Sequence, residues 1–307
     1  MRRRLLRGSP GRKRPVCGMA TLKEYDLRMR KLRNVMKLTR TMKMVAAGKF
    51  RKAQLAVRRA GEYAEALERI AARAAAIAET RVSTQPLAAA RERVRKCLIV
   101  VFGAERGLCG GFASSLVPVV AERRAACAGV GAESEVWVVG KRSHSVLRQR
   151  GIPARLLSVA KPVLAESVQT VASECGALFL NGAIDEAYVV FAAGTGGGSF
   201  RPLCERILPE EFRTHESDDQ AFEWRCEPDT DALLGSLLER LLAVRMAMAA
   251  LRSAEAEEEA RMVAMDGASR NAEKLFAETL LMRNRSRQNR ITMELLDIMG
   301  GAEALKT

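Results

Sequence analysis

The chain has 307 residues, 48% of them hydrophobic, and a formal net charge of +15. A chain of this length and composition can bury one large or two ordinary cores, which excludes a wholly disordered protein. The charge is concentrated at one end: residues 1–18 hold seven Lys/Arg and no acid, residues 19–60 hold thirteen Lys/Arg and two acids, and the other 247 residues sum to −3. This distribution argues against a protein that is basic over its whole surface.

Residues 1–18 carry no 7 to 15 residue apolar centre, which excludes an ordinary signal peptide. We expect them to be a disordered extension or a mis-assigned start upstream of Met19, with a targeting segment as the alternative. Seven scattered cysteines without a CxxC pair and two isolated histidines argue against a disulfide framework or a metal site. No apolar run approaches the roughly 18 residues of a membrane span, so any membrane association is expected to be indirect.

The first long element is a predicted coiled-coil helix. No proline occurs between Pro15 and Pro86, and fifteen of the seventeen heptad positions counted from Leu22 to residue 78 are apolar. Seven of these positions are alanine, which permits close approach of a partner helix but buries little area per residue. A helix over residues 22–78 would be about 85 Å long, whereas a domain of roughly 140 residues is about 40 Å across. The sequence therefore predicts a helical pair that protrudes beyond a globular part.

The second helix of this pair is predicted at the other end of the chain. Residues 231–299 contain no proline, and apolar residues recur at helical spacing. Glu255 and Glu258 interrupt the register between two apolar runs. We expect the two terminal helices to form a long antiparallel coiled coil.

The segment between these helices alternates strand and helix patterns. Short buried strands are predicted at 94–103, 133–140, 154–159 and 185–193, and helices at 111–128, 141–150 and 163–181. This alternation predicts an α/β domain with a mostly parallel sheet. Residues 199–208 and 221–228 are candidates for further strands at its edge.

Residues 37–54 carry six basic side chains and no acidic one. An acidic protein partner, a solvated face and a nucleic acid are three possible explanations. A solvated helix face is expected to mix both signs, and a nucleic-acid arm would not have an apolar seam running through its charged part. A fixed acidic protein partner agrees best with a cationic face beside a buried seam.

Two glycine-rich segments are candidate chemical sites. GAERGLCGG, residues 103–111, follows a strand and opens a helix, where a phosphate could bind or where Cys109 could act as a nucleophile. It does not spell GxGxxG, no histidine is placed as a base, and a structural turn or partner-contact loop is the alternative. AAGTGGGS, residues 192–199, is predicted to be a loop. No catalytic residue, cofactor or metal is therefore predicted.

Four ordered motifs resemble one protein family. Their sequences are TRTMKMVAAGKFRKAQ, ERGLCGGF, EPDTDALL, and EARMVAMDGASRNAEKL followed by NRSRQNRITMELLDIMGGAEAL. They are similar to motifs of the gamma subunit of the F-type rotary ATP synthase. The resemblance runs in order from about Met19 to Leu305. It implies a fold of two terminal helices in a coiled coil plus a central Rossmann-like α/β domain.

The same resemblance implies a rotor function. The chain would be a non-catalytic central-stalk subunit that couples ion-driven rotation of the c-ring to nucleotide chemistry on the β subunits. A coiled-coil nucleic-acid-binding protein, using residues 28–59, remains the alternative function. The implied partners are the α and β subunits, the epsilon subunit and the c-ring, with the protein peripheral at the cytoplasmic face of the cell membrane.

The resemblance also assigns contact residues and domain boundaries. Contacts with the α/β ring are implied for the following residues: Lys37, Arg40, Met42, Lys43, Lys49, Arg51, Lys52, Arg261, Gln288 and Thr292. Contacts of the foot with epsilon and the c-ring are implied for Trp224 and Glu227. The implied domains are the helices 19–80 and 229–307 and the α/β domain 81–228.

Overall fold

A computed structural model describes residues 21–78, 85–157, 165–210 and 230–304. The elements in chain order are α1 (Leu22–Ala78), β1 (Lys96–Phe102), α2 (Phe112–Gly129), β2 (Glu133–Val139), α3 (Lys141–Gln149), β3 (Arg155–Leu157), α4 (Ala165–Leu180), β4 (Glu186–Gly196), β5 (Ser199–Leu208) and α5 (Thr230–Ala304). The extension 1–18, the possible strand at 221–228, Trp224 and Glu227 lie outside the described residues. The described elements confirm a mixed α/β fold with a long helix at each end.

The apolar seam of α1 is confirmed. Of its seventeen heptad positions, sixteen have a described exposure, and each of these is buried or half-buried. Ala46, Ala71 and Ala74 are among the buried ones. Alanine at these positions lets the backbone of a neighbouring helix come close, so the seam depends on many small contacts rather than on a few large side chains.

The described residues pack as two compact units, both of which contain parts of α1 and α5. Unit 1 comprises residues 21–39 and 268–304. Within it, Arg283 Nε lies 2.8 Å from Asp26 Oδ1, and the Arg33 guanidinium lies 5.1 Å from the centre of the Phe276 ring. The partner on α5 moves down in number as the residue on α1 moves up, so the two helices are antiparallel in this unit.

Unit 2 comprises residues 40–267 and contains the sheet. Here Lys43 Nζ lies 2.5 Å from Asp266 Oδ1, and Arg245 Nε lies 3.5 Å from Glu68 Oε1. The descending order of partners again shows antiparallel helices, as predicted.

The sheet has the strand order β3-β2-β1-β4-β5. The pairs β1–β2, β1–β4 and β2–β3 are parallel, and β5 is an antiparallel edge strand beside β4. Because β1 and β4 are buried on both faces, they are continuous apolar runs in the sequence. The predicted parallel sheet is thus confirmed, and residues 199–208 form an edge strand as proposed.

The two faces of the sheet pack against different helices. On one face, Leu98 and Val100 of β1 share a core with Phe179 of α4 and with Leu67 and Leu238 of the terminal helices. On the other face, Ile99 and Val101 share a core with side chains of α2 and α3, and this second core also includes Ala256 and Ala260 of α5. Unit 2 therefore uses the period-two alternation of β1 to bind helices on both sides.

The expectation of a loop over residues 192–199 was wrong in extent. β4 continues to Gly196, and Gly197 and Gly198 alone connect it to β5. Gly196, Gly197 and Gly198 all have positive φ, which glycine adopts without steric cost. The glycines thus form a tight hairpin turn.

A buried carboxylate closes the edge of the sheet beyond β5. Glu210 is 4% exposed, its Oε2 accepts a 2.6 Å hydrogen bond from Arg245 Nη1, and its backbone N donates to Leu87 O. Burial raises the pKa of Glu210 to about 7; Arg245 opposes this rise, and the negative charge of Glu68 adds to it. Arg245 thereby bridges a carboxylate of α1 and one at the end of β5.

We expect this carboxylate to make stability depend on pH. A folded-state pKa above the unfolded value means that the folded chain binds the proton more tightly, so the stabilisation is complete below about pH 4.5 and is lost as pH rises through about 7. Glu210→Gln should reduce this pH-dependent loss in the free energy of unfolding, which amounts to about 3 kcal/mol at most. Urea unfolding of both chains between pH 5 and 8 measures the difference. Parallel pH curves for the two chains would contradict it.

Candidate partner-contact surface

The basic stretch of α1 places most of its charges outside the buried seam. The exposed members of the predicted set on this helix are Lys37, Arg40, Lys49, Arg51 and Lys52. Met42 and Lys43 are half-buried. A long cationic side chain beside an alanine seam can cover the seam with its methylene groups while its charged end stays in water.

The lack of acids in the basic stretch of α1 suggests that its positive charge is uncompensated. In the structure, acids of α5 compensate part of it. Lys43 is paired with Asp266, and Lys49 Nζ lies 4.0 Å from Glu258 Oε1. The compensating acids lie on α5 and are more than two hundred residues away in sequence. Both lysine side chains are nearly half exposed, so these pairs contribute little stability.

Arg261 is the predicted contact whose surroundings differ most from expectation. It is 8% exposed, and its guanidinium lies 2.5 Å from Glu257 Oε1 and 2.7 Å from Glu258 Oε2. Burial alone would lower the pKa of Arg261, but hydrogen bonds to the two carboxylates outweigh that effect and raise it. Among the described residues, the Arg261 guanidinium thus pairs with carboxylates of its own helix.

Gln288 and Thr292 lie near the C-terminal end of α5 and are exposed. Thr292 Oγ1 donates a 3.1 Å hydrogen bond to the Gln288 carbonyl. Large apolar side chains of the same turns are also exposed, namely Ile291, Met293, Leu295, Leu296, Ile298 and Met299. An exposed apolar patch of this kind is typical of a surface that binds another protein.

The glycine-rich turn after β1 has a structural role. Cys109 is 2% exposed, and burial raises the pKa of its thiol, with the charge of Glu257 adding to the rise and Arg261 opposing it. A buried, protonated thiol is a poor nucleophile. The turn is held by Ser143, whose Oγ accepts a 2.8 Å hydrogen bond from Ala104 N. These contacts favour the structural turn over the catalytic alternative.

Helix α5 occupies the place where an open α/β sheet would bind a ligand. In such sheets the ligand crevice lies beyond the carboxyl ends of the strands, where the strand order reverses, and here that point lies between β1 and β4. Ser253 Oγ of α5 donates a 2.5 Å hydrogen bond to the carbonyl of Phe102, the last residue of β1. After β4, Gly198 N donates a 2.8 Å hydrogen bond to Glu259 Oε1. The crevice is therefore filled by the protein's own helix.

The described ranges contain no cluster of three or more His, Cys, Asp or Glu side chains suited to a metal ion. Among the helices in those ranges, none combines the length and apolar character needed to cross a bilayer.

An exposed apolar helix end, combined with a ligand crevice filled by α5, is typical of a subunit that binds other proteins. The family described as ATP synthase matches residues 21–305. The chain is 33% identical over 294 residues to the ATP synthase gamma chain of Anaeromyxobacter sp. (strain Fw109-5), covering 94% of this chain and 100% of the relative. The gamma chain of Moorella thermoacetica (strain ATCC 39073 / JCM 9320) is also 33% identical, with the same coverage. The chain belongs to the ATP synthase gamma chain family.

Solved structures share the fold at low identity. One chain of the Euglena gracilis mitochondrial ATP synthase (OSCP/F1/c-ring, rotational state 3) matches with a TM-score of 0.62 and 18% identity, covering 92% of this chain and 94% of its own. A chain of the Tetrahymena thermophila mitochondrial ATP synthase central stalk and c-ring matches with a TM-score of 0.55, also at 18% identity, over 76% of this chain and 99% of its own.

Family membership decides between the two functions considered above. A gamma chain is the central-stalk rotor subunit of an ATP synthase and is not an enzyme in itself, and membership does not support the nucleic-acid alternative. Its partners are other parts of an ATP synthase, to which it belongs as a peripheral subunit.

Sequence reasoning missed the polar side chains by which α5 contacts the sheet and α1. Glu259 and Asp266 lie within the motif at 259–275, but the motif does not indicate what they contact, and Ser253 lies outside it. The acidic residues at 255–259 do carry a signal, because an antiparallel register places them beside the basic stretch of α1. Without that register they look like a break in the heptad pattern.

We expect Arg261 to be important for stability. Arg261→Ala leaves the buried Glu257 carboxylate without its cation and leaves the partly buried Glu258 with Lys49 alone, so the free energy of unfolding should fall by about 3 kcal/mol. Arg290 provides the matched control, since it pairs with Glu294 at the same i,i+4 spacing but is 67% exposed. Arg290→Ala should cost less than about 0.5 kcal/mol. Equal losses in urea unfolding of the two variants would show that burial of the Arg261 pairs is unimportant.

Proposed function

We propose that the chain turns with the c-ring of an F-type ATP synthase and presents different faces of its helical pair to three β subunits in succession. Ion flow would drive the rotation, and the changing contacts would alter the nucleotide affinities of the β sites in turn. In this proposal the synthesis and hydrolysis of ATP take place on the β subunits. In this proposal the domains are the helices 19–80 and 229–307 and the α/β domain 81–228.

The α/β ring is proposed to contact the exposed part of the basic stretch and the end of α5. Lys37, Arg40, Lys49, Arg51 and Lys52 would face acidic loops of the β subunits, with Met42 and Lys43 beside them. Gln288 and Thr292 would contact the ring together with the exposed apolar residues around them. Arg261 would act indirectly, by holding Glu257 and Glu258 in place.

The opposite end of the rotor is proposed to bind the epsilon subunit and the c-ring. Trp224 and Glu227 are the residues assigned to this foot by the family motif. The protein would then be peripheral at the cytoplasmic face of the cell membrane and would associate with it through the c-ring.

The observation that carries the proposal is the division of α1 into two faces. Its seam is buried or half-buried at each described heptad position, while the basic residues between the seam positions are exposed, apart from the half-buried Arg73. A shaft needs such a division, because the seam gives stiffness and the outer charges give contacts that can be exchanged. Many weak, screened contacts suit rotation better than a few strong ones, since a strong ion pair would hold the rotor at one angle.

We expect charge reversal at exposed positions to weaken assembly. The triple variant Lys37→Glu, Arg51→Glu, Lys52→Glu places negative charge opposite acidic loops and should lower the affinity for the α/β ring by about tenfold or more. The control is Arg59→Glu with Arg69→Glu, which reverses two exposed charges of the same helix outside the predicted contact set. Co-purification with co-expressed α and β subunits at low and moderate salt measures the effect. Normal recovery of the triple variant would reject the assigned contacts.

Removal of a single charge should be mild. Lys43→Ala removes one partly exposed ion pair and should leave ATP hydrolysis by the assembled complex within about threefold of the unaltered chain. A complete loss of hydrolysis in a complex that still assembles would contradict the idea of distributed contacts.

A further inference from the structure

The contact between α5 and the carboxyl edge of the sheet has an unusual arrangement of hydrogen bonds. Ala256 of α5 is fully buried and belongs to the same core as Val101 of β1 and Val190 of β4. Ser253 and Glu259 lie three residues before and after it, which places them about 60° to either side on the helix. Each makes a hydrogen bond across the contact: Ser253 to the end of β1, and Glu259 to the β4–β5 turn. The sheet therefore contacts α5 by polar groups on both flanks of an alanine.

The β4–β5 turn approaches α5 so closely that side chains are excluded. A Cβ at Gly198 would lie 2.6 Å from Val263 Cγ2, and a Cβ at Gly194 would lie 2.8 Å from Glu259 Oε2. Gly197, between them in the turn, has a similar positive φ, but a Cβ there would have no atom within 4 Å. Close approach, and not only turn conformation, thus requires glycine at position 198.

We propose that the contact formed by Gly194, Gly198 and Glu259, here called the hairpin joint, is a positioning contact that, together with the Ser253 and Arg245 hydrogen bonds, prevents the sheet from slipping around α5 when torque is transmitted. This inference rests on the proposed rotor function. In this second core α5 contributes only the small side chains of Ala256 and Ala260, which interdigitate less with the sheet than Leu238 does in the first core and so resist sliding less. Hydrogen bonds are directional.

The geometry of the two hydrogen bonds supports a mechanical role. Ser253 and Glu259 are about 120° apart around the helix and about 9 Å apart along it. Two bonds separated in this way oppose both rotation about the helix axis and translation along it. Glu259 is 6% exposed, so its carboxylate is shielded from competing water.

The test compares two alanine variants of the same turn. Gly198→Ala and Gly197→Ala both place a side chain at positive φ, but only Gly198→Ala meets Val263. Each chain is assembled into the complete ATP synthase, including its stationary membrane subunits, in lipid vesicles, and ATP hydrolysis and ATP-driven ion uptake are measured together. We expect similar rates of ATP hydrolysis for the two variants. The number of ions taken up per ATP should fall about twofold or more for Gly198→Ala, because the hairpin joint is then formed in a smaller fraction of the complexes.

A second substitution provides the rescue. Val263 is 42% exposed, so Val263→Ala removes the clash at little cost. Gly198→Ala with Val263→Ala should take up as many ions per ATP as Gly197→Ala with Val263→Ala. Glu259→Gln, which keeps an acceptor for Gly198 N, should remain coupled, whereas Glu259→Leu should not. This second series also decides the matter if Gly198→Ala fails to fold.

Equal ion uptake per ATP in assembled complexes of Gly198→Ala and Gly197→Ala would contradict the positioning role of the hairpin joint and leave the proposed rotor function unaffected. Equal coupling of Glu259→Gln and Glu259→Leu would do the same. Failure of the unaltered chain to assemble with α and β subunits would instead reject the proposed function, and the inference with it.

Discussion

The described structure depends on close helix approach along a stripe of small side chains. Alanines such as Ala46, Ala71 and Ala74 bury little area each, so no single one of them holds α1 in place. The stabilisation comes from their number, while ion pairs at the margins of the seam, which add little stability, specify the register. Arg283 with Asp26 in unit 1 and Lys43 with Asp266 in unit 2 are such pairs. A seam of this kind leaves the outer faces of the helix available for other proteins.

The α/β layer uses a fold that commonly binds ligands, but its crevice is closed from within. Helix α5 contributes Ser253, Ala256 and Glu259 at the switch point between β1 and β4. The glycine-rich turn after β1, which resembles a phosphate loop in composition, instead contacts α5. A Cβ added at Gly110 would lie 3.6 Å from Ala264 Cβ. The carboxyl edge of the sheet, which binds ligands in other α/β proteins, here binds helix α5 of the same chain.

The fold could be predicted from sequence to a large extent, because its signals are periodic. The heptads of α1 and the continuous apolar runs of β1 and β4 each follow directly from what a coiled coil or a central strand must bury. The contact residues were less predictable. The surroundings of Arg261 depend on carboxylates three and four residues earlier in the same helix, and the partners of Lys43 and Lys49 lie on α5. The extent of β4 was underestimated because Gly194 and Gly196 look like loop residues, although close approach to Glu259 is what excludes a side chain at position 194.

The closed crevice has a consequence for how such a subunit can be regulated. A sheet whose ligand position is filled by a covalently attached helix cannot exchange that helix for a nucleotide without losing the core around Ala256 and Ala260. A small molecule therefore cannot regulate this layer by occupying the strand ends, because the space there already belongs to the hydrophobic core.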